Sequence, residues 1–189
     1  MAEFDLTARP ALGGIRLAYG RLTIAEVTDL AIVSVATPNG GAAALAAAVE
    51  AAYATALPAV GRSTRSNVDD VRILGLAPDQ CFLIFRLAEP FAVGQVRDRL
   101  GEAAYLTDQS DSWAALQVSG SDSRAVLERI CPVDLHPAAF AEGHVTRTVM
   151  EHLGVIILCQ GEDDYLLLSA RSSAASFLHA VQTSAENTA

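Results

Sequence analysis

One order of elements occurs twice along this chain, and that repetition limits the folds open to it. Residues 29–35 are β-rich. A helix is predicted next, with Leu45, Val49 and Tyr53 on one face. Thr37 is its expected N-cap, Pro38 its first helical residue and Leu57-Pro58 its end. Residues 71–76 read as a strand, 77–80 as a turn and 81–85 as a buried strand. Val93, Val96 and Leu100 then mark a short amphipathic helix. The second half repeats the series. Residues 112–118 read as a strand, 120–123 as a turn with capping residues, and 124–131 as a helix closed by Pro132. Residues 145–150 and 153–159 form a hairpin or bent strand pair, 161–164 a turn and 165–169 a strand. Ala174, Phe177, Leu178 and Val181 line one side of a last helix. Nearly the same interval separates residues 29–35 from 112–118 and Asp79 from Asp163.

A single unit of this kind leaves a sheet face and its edges uncovered, and two units supply that cover to one another. The expected fold class is α+β, with internally duplicated β-α-β plait units packed as one body. The expected divisions are an N-terminal extension over 1–21, a first half over 22–104, a second over 105–183 and a tail over 184–189.

Half of the residues are apolar, enough to furnish a core at a length of 189 residues. Thirteen basic against 22 acidic residues give a net charge of −9, without a basic stripe. That excludes nucleic acid held by counterion release and disfavours an anionic membrane surface. Met1-Ala2-Glu3-Phe4-Asp5 lacks the basic and apolar regions of a signal peptide. No apolar run is long enough to span a bilayer; the Ala-rich residues 42–56 are broken by Glu50, Tyr53 and Thr55. Cys81, Cys131 and Cys159 are odd in number and far apart, which predicts reduced, mostly buried thiols. A cytoplasmic location fits these features.

Cys131, Asp134 and His136 stand close enough to suggest a nucleophile system. A thiol at a helix end that faces the core lacks the electropositive, partly exposed setting it would need. The expected role is a structural turn, in which Asp134 binds backbone N–H groups and His136 holds the loop. His136, His144, His152 and His179 show none of the tight local spacings of a zinc site. Residues 37–41 and 120–123 read as helix caps, because neither has the order of a phosphate-binding loop. No dinucleotide fingerprint occurs, so no FAD or NAD is expected on this polypeptide. Catalytic, cofactor-binding and metal-ligating residues are all read as none.

One stretch goes beyond what composition requires: Ile130-Cys131-Pro132-Val133-Asp134-Leu135-His136-Pro137, then Phe140, Gly143 and His144-Val145-Thr146-Arg147-Thr148. Upstream stands Ser112-Trp113-Ala114-Ala115-Leu116-Gln117-Val118-Ser119-Gly120, and downstream Ser169-Ala170-Arg171-Ser172-Ser173-Ala174. Together these resemble the gamma subunit of heterotetrameric sarcosine oxidase, from roughly Leu22 to Val181. That family is similar in fold to the folate-binding domain of aminomethyltransferases. Around Pro78-Asp79 the family has a glycine and a tryptophan where this chain has Ala77 and Cys81-Phe82.

The resemblance implies a non-catalytic structural and assembly subunit. Its complex demethylates sarcosine to glycine, giving hydrogen peroxide and formaldehyde or methylene-tetrahydrofolate. The implied partners are the alpha, beta and delta subunits. The complex is expected to carry FAD, FMN, NAD and zinc, with tetrahydrofolate as co-substrate. Asp134, His136, Arg147 and Arg171 are the candidate subunit-contact residues, and Trp113 is a core residue or an interface anchor. The alternative is a stand-alone tetrahydrofolate-binding or one-carbon transfer protein, with Glu151, Asp163 and Asp164 as the available acids. A relative of the folate-fold tRNA-modification proteins is a third reading, opposed by the acidic balance.

Overall fold

Long strands with no polar alternation are the first thing the structure explains. The structure is a computed structural model and describes residues 8–87 and 91–188; the reading of Met1 to Asp5 lies outside it. Its strands are β1 (Arg16–Tyr19), β2 (Leu22–Glu26), β3 (Leu30–Ala36), β4 (Ser63–Arg65), β5 (Arg72–Ala77), β6 (Gln80–Arg86), β7 (Tyr105–Asp108), β8 (Trp113–Ser119), β9 (Val145–Met150), β10 (Leu153–Gly161) and β11 (Asp164–Ala170). The helices are α1 (Ala42–Tyr53), α2 (Ala92–Leu100), α3 (Ser123–Glu128) and α4 (Ala174–Glu186).

The strands form two antiparallel sheets, ordered β4-β5-β6-β3-β7 and β9-β10-β11-β8-β2-β1. The sheets lie face to face with helices outside each, giving four layers. On β6, Phe82 and Ile84 face the other sheet, while Cys81, Leu83 and Phe85 face α1 and α2. On β10, Ile156 and Leu158 face inward, while Val155, Ile157 and Cys159 face the α3 and α4 side. Strands buried on both faces need apolar residues at every position, which accounts for the unbroken apolar runs.

The duplication is visible in the topology. Within each sheet the strand before the first helix, the hairpin and its outer neighbour occupy the same places. Both hairpins carry a register shift at the same point, between Gly75 and Ala77 and between Cys159 and Gly161. Sheet membership crosses the sequence division, however. β7 returns after α2 to pair with β3, filling the last place in the first sheet. The equivalent place beside β8 is filled by β2, from the N-terminal side. The β1–β2 ribbon therefore belongs to the second unit, although it precedes the first.

Gly120 makes that pairing possible. Its φ is +110°, and a Cβ there would lie 1.9 Å from the Arg21 carbonyl oxygen. Leu22 and Ile24 are buried beneath the ribbon, contributing roughly 1.5–3 kcal/mol each. The exposed Arg21–Asp122 ion pair at 2.7 Å adds little beside them.

Two helices differ in their boundaries from the sequence reading. α1 begins at Ala42 and has no side-chain cap. Pro38 to Gly41 closes a turn in which Gly41 N–H donates to the Pro38 carbonyl at 2.8 Å, with Gly40 at φ +73°. That turn consumes the residues expected to open the helix. The helix also ends at Tyr53, before Leu57-Pro58, because Ala54 adopts a left-handed conformation. α3 stops at Glu128, and Asp122 holds Arg21 instead of capping it. The loop leading out of α3 begins in two turns, where Ile130 and Cys131 N–H both donate to Leu127.

Candidate functional site

Of the four candidate residues, Asp134 and His136 sit together on the loop that follows α3. His136 N–H donates to Asp134 Oδ1 at 2.9 Å, and Ala138 N–H donates to His136 Nδ1 at 3.3 Å. Between them Leu135 is fully buried in the core under α3 and α4, while Asp134 and His136 are exposed. Phe140 closes the loop and meets His144 edge to face, with ring centroids 5.6 Å apart. Asp134 thus organises backbone, as expected for a turn of this composition.

Arg147 lies elsewhere, on β9, the outermost strand of the six-stranded sheet. The two-residue period points it toward the other sheet, on the same side as Val145. There Arg147 Nη2 donates to Gln80 Oε1 at 2.9 Å, and Gln80 Nε2 donates to the hydroxyl of the buried Ser34 at 3.1 Å. The guanidinium stands 5.8 Å from the centre of the Phe82 ring, a contact worth about 0.5–1 kcal/mol. Phe82 in turn meets Trp113 edge to face at 5.8 Å. Arg147 is therefore a tie between the two sheets as well as an exposed charge.

Arg171 occupies the turn before α4. Its Nη2 donates to the Arg9 carbonyl, and Nη1 lies 3.9 Å from Asp111 Oδ1. It borders a cavity of about 330 Å³ that also reaches Trp113, Glu26 and Asp108. Glu26 holds the entering chain there, accepting from Leu12 N–H at 2.8 Å and Gly14 N–H at 2.6 Å. The Trp113 indole N–H is buried with no acceptor among the described residues. Trp113 also borders a second hollow beside Arg147, Gly154 and Ser173. Trp113 thus lies between the surroundings of Arg147 and Arg171, whereas the Asp134–His136 loop packs on the helix side of the same sheet.

The thiols are poorly placed for chemistry. All three are free and buried. Burial pushes Cys81 up to about 12 and also raises Cys131 and Cys159. Among the described residues no group of three or more His, Cys, Asp or Glu side chains is arranged to hold a metal ion.

Sequence reasoning missed Gln80, Phe82 and Glu26. The alternation on β6 places Gln80 and Phe82 on one face, which was the available signal. Their partner Arg147 is distant in sequence and gave none.

The chain is 29% identical over 150 residues to the sarcosine oxidase subunit gamma of Corynebacterium sp. (strain U-96), covering 79% of this chain and 70% of that one. It is 31% identical over 134 residues to the same subunit from Corynebacterium sp. (strain P-1), covering 71% of this chain and 64% of the relative. A chain of heterotetrameric sarcosine oxidase from Corynebacterium sp. U-96, in complex with pyrrole 2-carboxylate, superposes with a TM-score of 0.77 at 27% identity. That match covers 91% of this chain and 87% of the other. Glycine cleavage system aminomethyltransferase T from Bartonella henselae shares the fold, with a TM-score of 0.64 at 16% identity over 82% of this chain and 44% of its own. Residues 38–187 match the model of the sarcosine oxidase, gamma subunit family, and the chain belongs to that family.

Proposed function

We propose that this chain is the non-catalytic gamma subunit of a heterotetrameric sarcosine oxidase, serving as a structural and assembly component. The observation that carries the reading is the family match over residues 38–187, with the superposition on a chain of the solved heterotetramer supporting it. Its partners would be the alpha, beta and delta subunits, and the FAD, FMN, NAD and zinc of the complex would be held by them. The complex would oxidise sarcosine to glycine, with tetrahydrofolate accepting the one-carbon unit. Among the described residues no helix is long and apolar enough to cross a membrane, and we place the complex in the cytoplasm.

Two features support a role without chemistry. The thiols are held protonated by burial, and Asp134 is committed to a backbone N–H. What remains at the surface suits contact: Arg147 on an outer strand, Arg171 beside Trp113, and the Asp134–His136 loop.

The test is to isolate the tagged chain from its native cells under mild conditions. The expected result is yellow material containing two large chains and one small chain, with sarcosine-dependent release of peroxide. A colourless, solitary chain would overturn the assembly reading and turn attention to folate binding by the free protein.

A further inference from the structure

All 13 basic residues of this chain are arginine, and among the described residues only Arg72 is neither exposed nor ion-paired. Arg72 opens β5, where its neighbour across β6 is Ile84. Leu74 and Ile84 both belong to the layer between the sheets, so the strand period directs Arg72 into the open end of that layer. A cavity of about 360 Å³ lies there, within the range of small-ligand sites.

Arg65, Arg72 and Arg86 border the cavity from the five-stranded sheet, and Gln117 and Gln160 border it from the other. Leu30, Ile84 and Leu166 supply apolar wall. Two of the three arginines are already balanced. Arg65 pairs with Asp70 at 2.9 Å and Arg86 with Asp29 at 2.6 Å. Arg72 makes one side-chain hydrogen bond among the described residues, from Nε to Ser63 Oγ at 3.2 Å. Its two terminal nitrogens have no protein acceptor there.

Glu142 and Asp164 lie near enough to favour the charge, yet burial and the charge of Arg65 prevail and pull the guanidinium below its ordinary value. Asp164 is itself held by the Gln117 amide at 3.0 Å. A half-buried guanidinium whose fork opens to the cavity without a protein acceptor favours an anion with matched geometry. The free fork of an arginine fits a carboxylate through two parallel hydrogen bonds. A single unbalanced charge in a protein of net charge −9 suits a monoanion over a dianion.

We infer that the cleft between the sheets at Arg72 is a carboxylate-binding site, which takes a small acid whose apolar body rests on Leu30, Ile84 and Leu166. The site does not depend on the assembly role proposed above, because every residue in it belongs to this chain.

The test titrates the full-length chain with benzoate, and with benzamide as its uncharged counterpart, following the Arg72 Nε–H resonance and the melting temperature. Benzoate is expected to bind saturably with a low-millimolar Kd, shifting that resonance and raising the melting temperature. Benzamide is expected to do neither. Arg72→Gln should abolish saturable binding while leaving the circular dichroism unchanged. Arg72→Lys keeps the charge without the fork and should weaken binding at least about five-fold. Equal responses to benzoate and benzamide, or wild-type affinity in both variants, would overturn the site. So would absence of benzoate binding, including the case in which Arg72→Gln releases co-eluting chains. In that case the carboxylate belongs to a partner's side chain.

Discussion

Cys81, Tyr53 and Tyr165 are groups whose ionisation the fold suppresses, and this gives the protein a specific alkaline weakness. Burial pushes Cys81 from 9.0 up to about 12, and Tyr53 and Tyr165 from 10.0 up to about 12. The unfolded chain releases these protons first. The folded state therefore keeps its full advantage below pH 9 and loses it progressively between pH 9 and 12. The midpoint of urea unfolding should be level from pH 7 to about 8.5 and then fall steadily. Cys81→Ala should reduce the part of the decline that begins near pH 9, to which the raised Cys131 and Cys159 thiols also contribute; an unchanged profile would show that the Cys81 thiol ionises freely in the folded state. Single residues were legible in the sequence where the neighbouring chain decided their role. The Asp134 turn follows from adjacent residues, and the buried thiols follow from their apolar settings. Arg147 was picked out as a candidate contact residue, but its contacts with Gln80 and Phe82 depend on how two distant strands face one another.

At the scale of elements, the β1–β2 ribbon is the part whose place is least predictable and most easily disturbed. Its two strands are short, and its partner β8 lies in the other half of the sequence. Nothing local announces that pairing, whereas the doubled hairpins and the outer helices declare themselves by apolar runs and helical period. The start of α1 was misjudged for the opposite reason. A proline followed by two glycines within four residues offers both a helix entry and a turn, and the hydrogen bond from Gly41 to Pro38 decides for the turn. Gly120→Ala would put a Cβ into the Arg21 carbonyl at a backbone angle that side chains avoid. The expected cost is about 3 kcal/mol or more. Amide exchange should show β1 and β2 losing protection first while β3, β5 and β6 keep theirs. Uniform loss across both sheets would mean that the ribbon does not open independently.

At the scale of the whole molecule, the four layers leave two kinds of surface: helices outside, and the ends of the inter-sheet layer, where Arg147, Trp113 and Arg171 are found. If that end meets the partner subunits, Arg147→Ala and Arg171→Ala together should lower recovery of co-eluting chains by an order of magnitude. Each single variant should have a smaller effect, with the monomer still folded by circular dichroism. Full recovery in the double variant would direct attention to the Asp134–His136 loop instead. The crossing of the N-terminal ribbon into the second sheet has one more implication, which concerns the order of events during synthesis. The first five-stranded sheet has all its strands once Asp108 has left the ribosome, and it is free to fold while the rest is being made. The ribbon made before it must wait, because Thr23 pairs with Ser119 and Tyr19 is met by Gln182 of the last helix. The ribbon is thus made before the first sheet and settled after it, when the second unit is complete.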